Sequence, residues 1–413
     1  MLTALSWCLL ACTVVAATIY CAGVWATWRH FGRPRRFAQA RLPPITLLKP
    51  IKGIEDELAD NLRSFFEQDY PPGFEIVFSS TDPADPGIAI ARAIAEGYPE
   101  VACKFVVSDR HTGANPKVAN LQGALRTARH DLVVQSDANV RIEPGMLRKL
   151  VSEYLTRRAS LLTGVVVGVG ERSVGAALEN LQLSAFTGPA TCLASAAAGI
   201  TCVIGKCLAF RRSELDSLGG LAVVGDVLAE DYVLGELYRK NGKNVVLSRV
   251  RANNVNADTS VARFLERHAR WLKMRAVVSA PGYVADLMAN PTVFALAAWV
   301  SAGAPYALAG WVAWLGLTKA LCDGWLVRLT RGAPMRVGYL WLAPVRDLLL
   351  AFLWLYCLFS RRICWRGSHF RLGPGSVLLP VVPAGACRSV NLPQRTRERA
   401  VCPASPAPSH PAE

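Results

Sequence analysis

The stretch ITLLKPIKGIEDELADNLRSFFEQDYPPGFEIVFSS, residues 45–80, decides the fold, because its pattern predicts a strand, a helix and a second strand in succession. The apolar runs ITLLK and FEIVFSS are the strands, and the charged stretch between them predicts a helix over 55–67. The alternation continues with the strands CKFVVS and DLVVQSD and with helices over 87–97 and 116–129. Such alternation predicts an α/β domain built on a doubly wound, mostly parallel sheet.

Acidic residues follow two of the predicted strands. Asp85 lies in SSTDPADPG directly after FEIVF, and Asp137 ends the strand DLVVQSD. Ligands bind at the carboxyl ends of strands in open parallel sheets, so both carboxylates fall where a ligand site is expected. A carboxylate such as Asp137 can hold a divalent cation, Mg²⁺ or Mn²⁺, against a diphosphate. The alternatives are an ordinary turn at Asp85 and a helix or turn cap at Asp137.

Two further motifs place charged side chains at the starts of helices. Glu230 and Asp231 stand in VLAEDYVLGELYRKNG, where an acid either caps the helix or acts as a general base toward a hydroxyl group. Lys117 stands in GANPKVANL, where it either lies near a phosphate or is simply solvated. None of these residues is specific when it is taken alone.

Apolar segments flank the domain on both sides. Residues 2–28 carry no charge and are long enough to cross a hydrocarbon core of about 30 Å, so we expect an uncleaved anchor over 1–28. Two more segments of span length, 294–317 and 338–359, define a membrane region over 291–360. The sequence leaves two alternatives open for 294–329, one span followed by an interfacial helix or two short spans. The segment LASAAAGITCVIG leaves three alternatives open, a core helix, a further span or a wall that faces the membrane.

Arginines predict the orientation of the chain in the membrane. They follow the first apolar segment and also the last one, at Arg29, Arg33, Arg35, Arg36, Arg41, Arg361, Arg362, Arg366 and Arg371. The positive-inside rule places both flanks, and the domain over 42–280, in the cytoplasm. This arrangement requires an odd number of spans, about three, with the N-terminus outside. The tail over 384–413 is rich in Pro, Ala and Arg and is expected to be disordered.

The composition limits the class of partner. The chain of 413 residues is 52% hydrophobic and has a formal net charge of +15. The arginines concentrate beside apolar segments, and no zinc-finger or RNA-binding motif is present. Lipid and phosphate are therefore the expected partners, and nucleic acid is not. The twelve cysteines form no CxxC pair, which argues against a zinc site.

The motif RHARW, residues 267–271, has two interpretations. Its arginines and tryptophan could form an anchor at the membrane surface. Arg267, Arg270 and Trp271 could instead hold an anionic leaving group beside a substrate in the membrane, because preorganised arginines stabilise developing negative charge.

Taken together and in order, the motifs resemble those of family 21 of the glycosyltransferases, which contains the ceramide glucosyltransferases and their bacterial relatives. The resemblance runs from about residue 45 to 280 and resumes weakly at WRGSHFRLGPG (365–375). It is carried by the segments LLKPIKGIEDELADNLRSFFEQDYPPGFEIVF, DPADP, GANPKVANL, QSDANVRI, GKCLAFRRSELDSLGGL, LAEDYVLGELYRKNG and RHARW.

The resemblance implies a role for each motif residue. Three aspartates of the family pattern fall on Asp85, Asp137 and Asp231, and its (Q/R)xxRW element falls on Arg267, Arg270 and Trp271. Asp231 would be the catalytic base, whereas Asp85, Asp137 and Lys117 would bind the nucleotide sugar. One departure matters, because Asp137-Ala138-Asn139 stands where many related enzymes have Asp-x-Asp, and this weakens the case for a tightly held metal ion.

The resemblance also implies a fold and a reaction. The fold would be GT-A, with N-terminal and C-terminal transmembrane helices. The reaction would be an inverting transfer of one sugar from a UDP-sugar to a lipid hydroxyl at the cytoplasmic face, in a bacterial inner membrane. A hopanoid-modifying glycosyltransferase and a non-catalytic lipid-binding protein with a decayed transferase domain are the alternatives.

Overall fold

The computed structural model describes residues 3–32, 41–109, 113–365 and 368–381. Arg33, Arg35, Arg36, Arg366 and the tail over 384–413 therefore lie outside the described residues. The helices are, in chain order, α1 (Ala4–Phe31), α2 (Leu58–Phe66), α3 (Pro86–Glu96), α4 (Pro116–Thr127), α5 (Met146–Thr156), α6 (Val174–Gln182), α7 (Gly188–Ala198), α8 (Arg212–Ser217), α9 (Glu230–Lys240), α10 (Val261–Val278), α11 (Ala280–Met288), α12 (Pro291–Ser301), α13 (Tyr306–Arg331), α14 (Val337–Leu340) and α15 (Ala343–Leu358).

A mixed sheet forms the centre of the domain. Its strands are β1 (Ile45–Pro50), β2 (Phe74–Ser80), β3 (Ala102–Val107), β4 (Leu132–Ser136), β5 (Val140–Arg141), β6 (Leu161–Val169), β7 (Cys207–Arg211) and β8 (Val245–Val255). They lie in the order β3-β2-β1-β4-β7-β6-β8-β5. Parallel pairing joins β3, β2, β1 and β4 in series and joins β6 to β8. Antiparallel pairing joins β7 to both of its neighbours and β5 to β8.

Alternate side chains of the central strands pack on opposite faces of the sheet. On β1, Leu47 belongs to one hydrophobic cluster with helices α2, α3 and α5, and Leu48 belongs to a second cluster with α4, α8 and α9. On β4, Val134 and Val133 divide in the same way. A strand buried on both faces reads as a continuous apolar run. The predicted α/β class with a doubly wound, mostly parallel sheet is confirmed, and the predicted helices over 55–67, 87–97 and 116–129 correspond to α2, α3 and α4.

Apolar helices lie at both ends of the chain, as predicted. By length and composition, two described segments can cross a membrane, Ala4–Phe31 and Val337–Leu358, and there is a third if α11 and α12, bent by 65°, form one span. The apolar stretch over 294–317 is not one continuous helix but is divided between α12 and α13. Helix α12 stops at Ser301, because Gly303 adopts φ +80° and Pro305 cannot continue a helix.

A second, small sheet follows the last helix. Its antiparallel strands are β9 (Arg362–Trp365), β10 (Ser368–Leu372) and β11 (Leu378–Pro380). We call it the C-terminal sheet. The turn between β10 and β11 reaches the segment before α9, where Leu228 N–H donates to Ser376 O at 2.9 Å. The weak resemblance at 365–375 therefore falls on a part of the chain that packs against the main domain.

A π-helical turn, Leu183–Thr187, joins α6 to α7. Such turns are rare within α-helices, and many of them lie at functional sites. The segment LASAAAGITCVIG, which had three alternatives, forms the end of α7 and the loop that leads into β7. It is therefore not a further span of its own.

Candidate active site

Asp137 lies at the carboxyl end of β4 among three lysines. Its carboxylate pairs with Lys117 Nζ at 3.2 Å and with Lys206 Nζ at 3.0 Å. Lys49 Nζ, at the end of β1, donates to Asp137 O at 2.7 Å. Burial by itself would raise the pKa of Asp137, but the ammonium groups of Lys117 and Lys206 outweigh burial and hold that pKa well below its usual range. The carboxylate stays ionised.

Glu230 and Asp231 begin α9 and approach the same group of charges. Lys117 Nζ pairs with Glu230 Oε1 at 2.9 Å. Asp231 Oδ2 accepts a hydrogen bond from Gly205 N–H at 2.7 Å, and Oδ1 accepts one from the N–H of Tyr232 at 2.8 Å. Burial and the neighbouring charge of Glu230 raise the pKa of Asp231 to about 6, against the opposing effect of Lys117. Asp231 can therefore exchange a proton near neutral pH.

Lys117 stands between the three acids. The side chain of Asn115 caps α4 by accepting hydrogen bonds from the N–H groups of Lys117 and Val118, which fixes where the lysine leaves the helix. Burial would lower the pKa of Lys117, but the charges of Asp137, Glu230 and Asp231 raise it well above its usual range. Lys117 is thus a permanent cation at the carboxyl edge of the sheet.

Two distant segments hold the chain that leads into Asp231. Asn115 Nδ2 donates to Val227 O at 2.6 Å, and Asp226 accepts a hydrogen bond from Ala114 N–H at 2.8 Å. Ser376 Oγ, in the C-terminal sheet, accepts one from Ala229 N–H at 3.1 Å. Gly113 allows this close approach, since a Cβ atom there would lie 2.5 Å from the carbonyl oxygen of Gly225. The GANPK motif and the C-terminal sheet therefore both position the start of α9.

Asp85 makes its own set of contacts. It is the N-cap of α3, and its carboxylate accepts hydrogen bonds from Gly87 N–H, Gly53 N–H and Ser80 Oγ at 2.8–3.0 Å. These bonds join the loop after β1, the end of β2 and the start of α3. The alternative of a turn residue therefore accounts for these contacts of Asp85, which lies at the same edge of the sheet as Asp137.

The RHARW motif lies on α10. Arg267 pairs with the fully buried Glu179 at 3.2 Å and donates to Asn256 Oδ1 at 3.0 Å. His268 also lies against Glu179, at 3.3 Å, and packs edge-on against the ring of Trp271. Arg270 is half-buried. The motif is thus part of the folded domain, which distinguishes it from a free anchor on the membrane surface.

The sequence did not single out two lysines of the site, Lys49 and Lys206. Lys49 is fully buried, with its ammonium group 3.6 Å from the ring centre of Phe65. Lys206 pairs with Asp137 and donates to Asn139 Oδ1 at 2.8 Å. Lys49 ends the apolar strand ITLLK, and Lys206 precedes the strand in GKCLAF. These positions beside strands could have identified both lysines as candidates.

The fit of a divalent cation can be tested on the residues around Asp137. In the described part of the chain, no group of three His, Cys, Asp or Glu side chains is arranged to hold a metal ion. Mg²⁺, however, is often bound by one or two carboxylates together with the phosphates of a substrate. Asp137 and the side-chain oxygen of Asn139 fit that limited role if the cation replaces Lys206, whose ammonium group contacts both.

Comparisons with known proteins find chains that are similar to this one over most of its length. The ceramide glucosyltransferases 3 and 1 of Caenorhabditis elegans are each 26% identical to this chain over 349 and 348 residues, which cover 82% and 81% of this chain and 75% and 72% of theirs. A mannosyltransferase of Pyrobaculum calidifontis, solved in complex with GDP-Man and Mn²⁺, is similar over 86% of this chain and 99% of its own, with a TM-score of 0.49 and 19% identity.

The family model described as glycosyl transferase family 21 matches residues 8–378. The match includes β4, the start of α4, the start of α9 and the C-terminal sheet, which are the elements that meet around Asp137 and Asp231. The chain therefore belongs to glycosyl transferase family 21.

Proposed function

We propose that the protein is a membrane-bound inverting glycosyltransferase that moves one sugar, glucose, from UDP-glucose to the hydroxyl of a ceramide-like lipid. The observation that carries this proposal is the meeting of Asp137, Lys117, Glu230 and Asp231 at one edge of the sheet, in a member of family 21. The relatives named ceramide glucosyltransferase support the choice of sugar and lipid.

Asp231 is the base of the proposed reaction. The lipid oxygen forms a bond to the anomeric carbon, its proton passes to the Asp231 carboxylate, and the bond from that carbon to the diphosphate oxygen breaks. The N–H groups of Gly205 and Tyr232 orient the carboxylate. Attack from the face opposite the leaving group inverts the configuration at the anomeric carbon.

Lysines provide the positive charge that the diphosphate needs. Lys117 and Lys206 both contact Asp137, so a diphosphate bound at this edge of the sheet meets two cations that are already in place. Preorganised charge of this kind stabilises a leaving group without reorganisation during the reaction. Asp85 supports the nucleotide indirectly, by fixing the loop after β1 through Gly53.

A divalent cation, Mg²⁺ or Mn²⁺, would be held by Asp137 with Asn139 beside it. When bound, it would supply further positive charge to the diphosphate oxygens.

The RHARW motif completes the proposed site. Arg270 supports the departing UDP, and Arg267 maintains the position of α10 through Glu179 and Asn256. Trp271 lies toward the membrane helices and contributes to the acceptor side, as the next section describes. The catalytic domain faces the cytoplasm, where the arginines beside the apolar segments are expected.

The proposal is tested by incubating membranes that contain the protein with several UDP-sugars and with ceramide, hopanoid and diacylglycerol acceptors. Product masses identify both substrates, and glucosylated ceramide is the expected product. Transfer to a hopanoid alone would replace the lipid in the proposal. An absence of both transfer and UDP-sugar hydrolysis would support the non-catalytic alternative.

A further inference from the structure

A cleft lies between the main domain and the membrane helices. The cleft is partly open to solvent and is lined by the end of α6, the π-helical turn, α10, α11, the start of α12, and α15. Its apolar wall includes Trp271, Leu287, Leu350 and Trp354. We call it the interface cleft. Its position beside the apolar helices suits a molecule whose chains lie in the bilayer.

Two polar side chains of this cleft are buried without a hydrogen-bond partner for one oxygen each. Gln182 and Asn290 are each 7% exposed, and among the described residues nothing donates to Gln182 Oε1 or to Asn290 Oδ1. Asn290 is the N-cap of α12, yet its side chain makes no capping bond. An asparagine at this position normally accepts a bond from its own helix. Both oxygens are therefore free to accept hydrogen bonds from a ligand in the cleft.

The interface cleft lies close to the proposed base. Trp271 of the cleft wall and Ile204 pack against the same hydrophobic cluster, and the next residue, Gly205, donates to Asp231. The charges of the cleft wall and of the proposed base both act on Cys202, which lies in the same loop. Burial raises the pKa of its thiol to about 11, Arg275 of the cleft wall lowers it, and Asp231 and Asp286 raise it. The loop between α7 and β7 thus connects the cleft to the reacting edge of the sheet.

We propose that the interface cleft binds the head group of the acceptor lipid and that Gln182 and Asn290 accept hydrogen bonds from it. This inference rests on the proposed function. Two buried acceptors without donors select a lipid with donors beyond the reacting hydroxyl, such as an amide N–H and a second hydroxyl. A ceramide-like lipid offers both, whereas a diacylglycerol offers only the hydroxyl that reacts.

The first test compares variants that keep the size of the side chain but remove the acceptor. Gln182→Met and Asn290→Leu are expected to raise the KM for ceramide about tenfold each, because a donor of the bound lipid is left unpaired. The KM for UDP-glucose should not change. Gln182→Glu retains an acceptor oxygen and should stay near the wild-type KM for ceramide.

Thr292→Val is the matched control. Its hydroxyl is also buried without a partner among the described residues, two residues after Asn290, but Thr292 does not line the cleft. It should leave the KM for ceramide unchanged. An increase equal to that of Asn290→Leu would show that the effect is a general consequence of changing α12 and would overturn the inference.

The second test uses the wild-type protein, so it does not depend on the folding of a variant. A ceramide methylated at its amide nitrogen lacks one donor and should have a KM about tenfold higher than ceramide. Equal KM values for the two lipids would overturn the proposed contacts. If the protein binds UDP-glucose but glucosylates no lipid at all, the proposed function itself fails, which is a different result from transfer with unchanged KM.

Discussion

Asp137 and Asp231 have the same side chain but different neighbours, and this difference separates their roles. Two ammonium groups contact Asp137 and keep it ionised. Asp231 is held by backbone N–H groups, and burial together with the neighbouring charge of Glu230 raises its pKa to about 6. The site therefore has one carboxylate that stays ionised and one that can exchange a proton near neutral pH.

Replacing Asp231 by asparagine should abolish transfer and leave UDP-sugar binding in place. The amide retains the shape and one acceptor oxygen but cannot take the proton of the lipid hydroxyl. A general base contributes about 10²–10⁴-fold in rate, and a loss of that size is expected in kcat. The measurement is kcat for glucosylation together with the Kd for UDP-glucose.

Glu230→Gln is the matched control, because it changes the adjacent acid in the same way. Glu230 pairs with Lys117, so the variant should have a smaller effect on kcat and should weaken donor binding. Near-normal turnover in Asp231→Asn, or a complete loss in Glu230→Gln alone, would assign the base to Glu230.

The pH dependence of transfer should follow Asp231. The base works when deprotonated, so kcat/KM should be constant above about pH 6 and fall about tenfold per pH unit below it. The charged or titratable groups that act on Asp231 are Glu230, Lys117 and Cys202. Since Glu230 contributes to the raised pKa, Glu230→Gln should move this acid limb to lower pH. An unchanged limb in that variant would contradict the assignment.

At the residue scale, the sequence predicted which acids meet but not all of their partners. Asp137, Lys117 and Asp231 could be named because strand ends and helix starts share one edge of a parallel sheet. Lys206 precedes β7, an antiparallel strand inserted between β4 and β6, and alternation along the sequence does not reveal that insertion. Gln182 and Asn290 carry no local signal, since their unpaired oxygens are a property of the packed helices.

At the element scale, the C-terminal sheet acts as a brace for the start of α9. Ser376→Ala removes the oxygen that accepts from Ala229 N–H, a buried backbone donor. The loss of a buried hydrogen bond should lower the free energy of unfolding by about 1–3 kcal/mol and should reduce kcat by displacing Asp231. Thermal unfolding in detergent and the transfer rate measure the two effects.

Ser368→Ala is the control for Ser376→Ala. Ser368 lies on β10 of the same sheet but is exposed. It should leave both stability and rate near the wild-type values. A rate loss in the control variant of the same size would show that the brace is not specific to the contact at Ser376.

Most elements of the main domain were predictable, whereas those of the membrane region were less so. Strands and helices in the domain differ in the spacing of their apolar residues, so the strands ITLLK, FEIVF and DLVVQ can be recognised between the predicted helices. The apolar stretch over 294–317 gives no such contrast, and the bend at Gly303 to Pro305 divides it between α12 and α13. The mean hydropathy of the whole stretch does not reveal a break of this kind.

At the scale of the whole molecule, a buried network of charges holds the membrane helices together. Arg346 pairs with Asp347 at 2.6 Å and with Asp323 at 2.9 Å, and Lys319 pairs with the same two acids at 2.8 and 2.9 Å. Tyr20 of α1 donates to Asp323 at 2.7 Å. Two cations and two anions cancel, which explains how α15 accommodates Arg346 and Asp347 in an apolar segment.

Breaking this balance should destabilise the protein. Arg346→Met leaves two anions beside one cation, and loss of one partner of a buried pair costs roughly 3–5 kcal/mol. Combining it with Asp347→Asn restores neutrality and should recover much of the stability. Thermal unfolding in detergent compares the single and double variants. A double variant as unstable as the single one would show that the guanidinium group matters for its shape and packing alone.

Contacts with the domain also restrict how the chain crosses the membrane. Both ends of Val337–Leu358 adjoin the domain, since Tyr339 Oη donates to Arg172 O at 3.2 Å and Lys273 Nζ donates to Arg362 O at 2.9 Å. These contacts predict that Val337–Leu358, although long and apolar enough to cross a membrane, lies along the domain instead. The end of α13 also returns to the domain, where Arg251 donates to Thr330 O.

The other end of the membrane helices, where α1 begins and α12 ends, lies far from the domain. Ser301, at the end of α12, donates to Ser6 near the start of α1 at 3.1 Å. His30, near the other end of α1, contacts Ser248 O of the domain at 3.0 Å. At 1.5 Å per residue the two ends of α1 are about 36 Å apart, enough to cross a bilayer. We therefore expect three crossings, made by α1, by the α11–α12 pair and by α13 in place of Val337–Leu358, although α13 is not among the segments that qualify as spans by length and composition.

This expected topology makes the last prediction, and it is an alternative to the sequence expectation that 338–359 crosses the membrane, which the length and composition of Val337–Leu358 support. Tyr306, which is 97% exposed, begins α13, and Arg336 follows its other end. A single cysteine at each position therefore reports on one end of the helix. Tyr306→Cys should react with a membrane-impermeant maleimide added from outside, and Arg336→Cys should react only after the membrane is opened. Arg35→Cys, in the basic segment after α1, should behave like Arg336→Cys. Labelling of Arg336→Cys from outside would mean that Val337–Leu358 crosses the bilayer and that its contacts with Arg172 do not form in the membrane.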